Sequence, residues 1–213
     1  QYIPPLSLVR KWEPHYTPIT VKLSPGIDVA QVEPYHASLA FYSVNGELKE
    51  AELAIAMFGS PITAVLFLPG MDEPYDYQRE EPAEAPMAEN PAGWLNEPDP
   101  AIIRAGYVQH ITNDYDGAML DPTIAYFTTE CKPDSVWVRS WRILDWMPFN
   151  LKKLKAYLKQ RNIGTLTVKK RGSPITPEEL ESKLKLKGDN SLTVVLTRLH
   201  GNPIVIICED YAP

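Results

Sequence analysis

Apolar and polar positions alternate through Ile19, Val21 and Leu23 in ITVKL, and Ser24-Pro25-Gly26 follows as a turn. A second alternating run from Ser38 to Val44 ends at Asn45-Gly46, a dipeptide that favours a tight hairpin between strands. Beyond that turn the pattern is mixed, because Leu48, Ala51 and Ile55 also suit one face of a helix. TAVLFLPG reads as a buried strand, and PPLSLVRKW near the start reads as a short helix after two prolines. The stretch from Met71 to Pro100 carries six prolines and nine acids, which erase any periodicity and predict an extended linker or long surface loop. Asp99-Pro100 then opens a helix whose apolar side holds Ile102, Ile103, Tyr107 and Ile111, and TIAYFTT follows as a strand.

The last third has the clearest rhythm. SVWVRSWRIL is a strand, and PFNLKKLKAYLKQRNIG is an amphipathic helix with Leu151, Leu154 and Leu158 on one side. TLTVKK is a strand, Thr176-Pro177-Glu178-Glu179 is a capping box opening a second helix, and SLTVVLTRL and NPIVIICE are two more strands. Strand, helix, strand, helix, strand, strand predicts a small α/β layer fold. The expected division is a sheet over 1–70, a linker over 71–100, a connector over 101–135 and an α/β domain over 136–213.

Charge sharpens that division. Residues 1–148 hold 9 Lys and Arg against 21 Asp and Glu, a balance of −12, whereas residues 149–213 hold 12 against 6, a balance of +6. A basic segment on an acidic chain points to a polyanionic partner, with a lysine-solvated helix as the plain alternative. Lys169, Lys170 and Arg171 stand in a row where a strand leaves the sheet beside Gly172, with Arg198 at the end of a neighbouring strand. Lys152, Lys153 and Lys159 on the amphipathic helix extend the set. An arginine offers a planar fork to phosphate oxygens. Pairing with Glu178, Glu179 or Glu181 would instead make the three residues structural. Trp137, Trp141 and Trp146 suit either core packing or base stacking.

Other chemistry is thinly represented. Cys131 and Cys208 lie outside any CxxC pair and the four histidines are scattered, so no metal site is expected. The uncharged run from Leu53 to Met71 is broken by Gly59-Ser60-Pro61, so two buried elements are expected rather than a membrane span. No basic and apolar leader opens the chain, and two lone cysteines suit a reducing cytoplasm. No GxG, GxxxxGK, GxSxG or HExxH occurs, so neither a nucleotide-binding loop nor a catalytic constellation is legible, and no catalytic residue is assigned.

TVKLSPGID, YSVNGELKEAEL, EPDPAIIRAG and PFNLKKLKAYLKQRNIGTLTVKKRG, in that order and with LTR near the end, form a pattern. It resembles the C-terminal part of bacterial class I S-adenosylmethionine-dependent methyltransferases that end in a THUMP-like domain. The resemblance implies an α/β chain, with the C-terminal strands of a Rossmann-like methyltransferase sheet followed by a small THUMP-like domain. It implies that S-adenosylmethionine is bound by a half of the parent protein preceding Gln1, and by none of this chain's own residues. It implies RNA as the partner, tRNA included, since true THUMP domains accompany tRNA-modifying enzymes; DNA and membranes are not expected. The contrasting reading is a non-catalytic module that docks on RNA or on an acidic protein.

Overall fold

Alternation becomes register in the first sheet. In this computed structural model, which describes residues 4–55 and 62–210, β2 (Ser38–Val44) and β3 (Glu47–Ile55) form an antiparallel hairpin. Asn45 and Gly46 both take positive φ, 49° and 77°, as a twist-matched two-residue turn requires. The strand alternative therefore prevails over the helical one for Leu48 to Ile55, and Ala51, Leu53 and Ile55 all point into the core. β1 (Ile19–Leu23) pairs antiparallel with β3, β4 (Thr63–Phe67) runs parallel to β2, and β5 (Tyr75–Tyr77) closes the far side. The order is β1-β3-β2-β4-β5, which leaves β1 at one edge. The sequence Gly59-Ser60-Pro61 lies outside the described residues.

A short helix, α1 (Val9–Trp12), follows a 3-10 turn at Leu6–Leu8, as the prolines before it suggest. The helix expected after Asp99 is two helices, α2 (Pro100–Ala105) and α3 (Val108–Asp114). Gly106 separates them with φ 82°, a left-handed stop that a continuous apolar face does not reveal. Asp99 accepts from the Ala101 N–H at 2.8 Å and from the Ser43 hydroxyl at 2.6 Å, so a capping residue also satisfies the one polar side chain buried on β2. Arg104 donates to the Ile27 carbonyl and lies over the Phe41 ring at 5.2 Å.

The proline-rich stretch differs from its reading as a loop. It holds β5 and also β6 (Trp94–Pro98), which pairs with two neighbours inside the second sheet. A five-residue run that ends on Pro98 suffices for a strand once its partners supply the hydrogen bonds. The second sheet has the order β10-β11-β12-β9-β6-β8-β7. Its members are β7 (Ala118–Asp121), β8 (Ile124–Thr129), β9 (Val138–Pro148), β10 (Ile163–Lys170), β11 (Asn190–Leu199) and β12 (Asn202–Cys208). β9 gives its first half to β6 and its second half to β12. A bulge beside Cys208 keeps Trp141, Ile143 and Trp146 against one core.

Two helices complete this part. α4 (Leu151–Gln160) is capped by Asn150, whose side chain accepts from the Lys153 N–H at 3.0 Å. α5 (Pro177–Leu184) is capped by Thr176, which accepts from the Glu179 N–H at 3.2 Å. The leucines of both helices bury against Val194, Leu196, Val205 and Ile207. The opposite face of the same strands carries Val195, Ile204 and Ile206, which pack with Leu95, Leu120, Tyr126 and Trp141. His200 donates its N–H to the Leu120 carbonyl at 3.0 Å, so the β11–β12 hairpin folds back on β7 and the sheet curls around this core.

The chain divides into two compact units: residues 1–83 with 99–108, and residues 84–98 with 109–213. The sequence placed its boundaries elsewhere, with one long linker between them.

Candidate nucleic-acid interface

The basic strand end is built from β10 outward. Lys169 lies opposite Val195 in the parallel register, so its side chain leaves the sheet on the curled side. There its amino group donates to Glu97 Oε2 at 2.6 Å and sits 4.1 Å from the centre of the Trp141 ring. Arg171 donates to the other oxygen, Oε1, at 3.1 Å, and lies 5.5 Å from the Tyr126 ring. One carboxylate on β6 thus holds two cations, one near the end of β10 and one just past it. The Glu97 side chain is 15% exposed, against 24% for Lys169 and 37% for Arg171. Half-burial makes these bonds stronger than surface ion pairs.

Tyr126 lies beneath this cluster and is fully buried. Burial pushes its hydroxyl far above the ordinary tyrosine range, the Glu97 carboxylate pushes the same way, and Arg171 opposes both. The phenol stays neutral and available as a hydrogen-bonding group. Trp137 and Trp141 are buried, and Trp146 packs partly buried against the same core, so these rings serve packing first.

Arg198, on the neighbouring β11, lies beside Gly172. It donates to the Thr123 hydroxyl at 3.1 Å, and its Nε is buried without a partner among the described residues. Gly172 makes room for it: a Cβ there would stand 3.0 Å from Arg198 Nε and 2.4 Å from Ile124 Cδ1. Asp121 sits nearby. Burial pushes its carboxyl up, but bonds from the Thr123 hydroxyl and N–H, the Gly201 N–H and the charge of Arg198 outweigh that and hold it below the usual range.

The seven sequence-selected residues therefore fall into two groups. Lys169, Arg171 and Arg198 meet around the strand end. Lys152, Lys153 and Lys159 are exposed on α4, which packs on the other face of the sheet. Lys170 is exposed and alternates toward the helical side with Val168, and its charge helps hold the Glu178 carboxyl below the usual range, after that residue's own backbone and Thr176. The acid that pairs with Lys169 and Arg171 is Glu97, while Glu178 feels the charge of Lys170 alone. Glu179 pairs with Lys183 at 2.5 Å. Glu97 is 72 residues from Lys169, so only the fold brings them together. Its one sequence signal is its place at the head of EPDP.

Among the described residues no group of three or more His, Cys, Asp or Glu is placed to hold a metal ion, and no helix is long and apolar enough to cross a membrane. Cys131 is exposed and Cys208 is buried, and both are free thiols; burial pushes Cys208 up to about 12.

Comparison with known proteins matches this architecture. Residues 138–210 match the family described as THUMP domain-like. Two uncharacterized S-adenosylmethionine-dependent methyltransferases of Mycobacterium tuberculosis, from strains CDC 1551 / Oshkosh and ATCC 25618 / H37Rv, are each 30% identical over 185 residues. The match covers 85% of this chain and 50% of each relative, so the chain spans about half the length of the curated relatives it matches. The crystal structure of a candidate methyltransferase from Porphyromonas gingivalis W83 shares the fold, with a TM-score of 0.78 at 22% identity, over 97% of this chain and 54% of that one. The α/β fold with two mixed sheets agrees with these relationships. The chain is similar to these methyltransferases over most of its length, and its residues 138–210 match the THUMP domain-like family.

Proposed function

We propose that this chain is the C-terminal part of an S-adenosylmethionine-dependent methyltransferase that acts on RNA. In this reading β1 to β5 extend the catalytic sheet and the THUMP-like domain presents the substrate. The observation that carries the proposal is the pairing of a THUMP-like domain with a balance of +6 over residues 149–213 on an otherwise acidic chain. A THUMP-like domain suggests RNA binding in general, and tRNA is the first RNA to test. The order β1-β3-β2, antiparallel throughout, suits the antiparallel end of a methyltransferase sheet, and β1 is the edge strand among the described residues. Cytoplasm is the compartment this reading implies.

The described residues do not fit the methyl donor. β2 turns directly into β3 at Asn45-Gly46, and β4 is followed by Pro69-Gly70 and β5, so neither runs through a glycine loop into a helix. The cavity beside Pro5, Leu8, Trp12 and Val21 measures about 140 Å³, and one of about 310 Å³ lies between β10 and α5, lined by Gly164, Leu166, Glu181 and Leu184. Small-molecule sites are usually about 300–1,000 Å³, so only the second reaches that range, and it lies within the domain assigned to the substrate. Donor binding and the chemical step are therefore assigned to the rest of the parent protein. The same misfit favours a second reading, a binding module without chemistry.

Both parts are testable on the chain as it stands. Fluorescence anisotropy with labelled tRNA across a salt series is expected to give binding whose logarithm falls linearly with log salt. No binding at low salt would remove RNA as the substrate class. Calorimetry with S-adenosylmethionine is expected to give no saturable heat; micromolar binding would return the donor site to this chain.

A further inference from the structure

We infer that the polyanion-binding surface of the THUMP-like domain is the lysine face of α4, and that Lys169 and Arg171 at the strand end belong to a structural clamp. The inference rests on the RNA reading above and names where the RNA backbone sits. Three observations lead to it.

Charge availability differs between the two groups. Lys169 and Arg171 share Glu97 and cover the Trp141 and Tyr126 rings, so a phosphate would have to displace a half-buried carboxylate to reach them. Lys152, Lys153 and Lys159 are exposed, and none of them has an acidic partner among the described residues. Exposed ammonium groups release counterions when a phosphate backbone arrives, and that release drives non-specific nucleic-acid binding.

The helix itself is arranged against its own stability. α4 carries four lysines and no acid in ten residues. Lys152 and Lys153 stand in its first turn, where the backbone dipole is positive and acids are favoured. Lys152, Lys155 and Lys159 are spaced three and four apart, so like charges are neighbours along one side. α5 shows the opposite first turn, with Glu178 and Glu179 there, while both helices carry a lysine in the last turn, Lys159 and Lys183. A first turn charged against the dipole is relieved when anions lie along it.

The positions also suit an extended partner. Leu154 and Leu158 are fully buried against the sheet, so the lysines flank an immobile axis. Lys152 and Lys159 are about 10 Å apart along it, from a rise of about 1.5 Å per residue. Lys155 donates to the Lys183 carbonyl at 3.1 Å and so ties α4 to the end of α5, where Lys185 and Lys187 follow, both exposed. The chemistry recognised is a run of phosphodiesters, without base readout.

The test measures tRNA affinity over a salt series for the full chain and two variants. One is Lys152→Gln/Lys153→Gln/Lys159→Gln. The other is Glu97→Gln/Lys169→Gln/Arg171→Gln, neutralised as a set so that no buried charge is stranded. Thermal melts confirm that both are folded, and Lys169→Gln alone replaces the second should it fail to fold. The expected result is a loss of tenfold or more for the α4 variant, with the salt slope reduced by about 2–3 at about 0.7–0.9 per phosphate, and a change under twofold for the clamp variant. Wild-type affinity in the α4 variant overturns the inference and leaves the RNA reading intact. A clamp variant as weak as the α4 variant overturns the assignment of Lys169 and Arg171 as structural. Absence of tRNA binding by the wild-type chain overturns both the inference and the RNA reading.

Discussion

At the scale of single residues, Glu97 carries the most consequence. It neutralises two cations that would otherwise face each other at the end of β10, and it lies over a buried phenol. Removing it leaves two half-buried positive charges together, whereas Lys169 keeps only its place over Trp141. Glu97→Ala is expected to destabilise the chain by about 1–3 kcal/mol in urea unfolding, with part of the loss screened by solvent. Glu97→Gln should cost less, since the amide keeps a hydrogen-bonding oxygen. Equal stability of Glu97→Ala and wild type would show that the clamp is a surface contact of no weight. The sequence could nominate Lys169 and Arg171 from their adjacency, but not this acid. A salt bridge across 72 residues depends on which strands become neighbours, and that is settled by packing rather than by local spacing.

At the scale of elements, legibility followed local rules. The hairpin at Asn45-Gly46, the Asp99 and Thr176 caps and the order of β9 to β12 all rest on short-range chemistry, and all are seen. What local rules hid were the split between α2 and α3 and the strands inside the proline-rich stretch. Gly164 and Gly188 read in the sequence as stops of the two helices, but α4 ends at Gln160 and α5 at Leu184. Neither has a positive φ; their need is for space, because a Cβ on Gly164 would lie 1.9 Å from the Gly188 carbonyl oxygen. β10 begins there, against the segment that leads from α5 into β11. Gly164→Ala is expected to cost about 1–3 kcal/mol by forcing those backbones apart, measured as a lowered melting temperature. A neutral Gly164→Ala would mean that the segment yields freely.

At the scale of the whole molecule, the family match and the folded unit do not coincide. The THUMP-like match covers residues 138–210, but β9 within it is paired along its first half to β6, and Leu95 on β6 lies in the same core as Trp141 and Ile206. Expression of 138–210 alone is expected to yield a poorly soluble, ill-dispersed chain by nuclear magnetic resonance, since Trp141 and the β9 edge are laid open. A well-dispersed spectrum from that piece would show that the remaining strands suffice.

β6 also has a history written into its position. It belongs to one unit while residues on both sides of it in the chain, up to 83 and from 99, belong to the other. A unit with a strand spelled inside its neighbour's text has no single border that leaves both units whole. A cut between 98 and 99 delivers the second sheet without β6, and a cut between 83 and 84 strips α2 from the first unit. The two units are thus bound to be inherited together, and a relative that keeps one is expected to keep both.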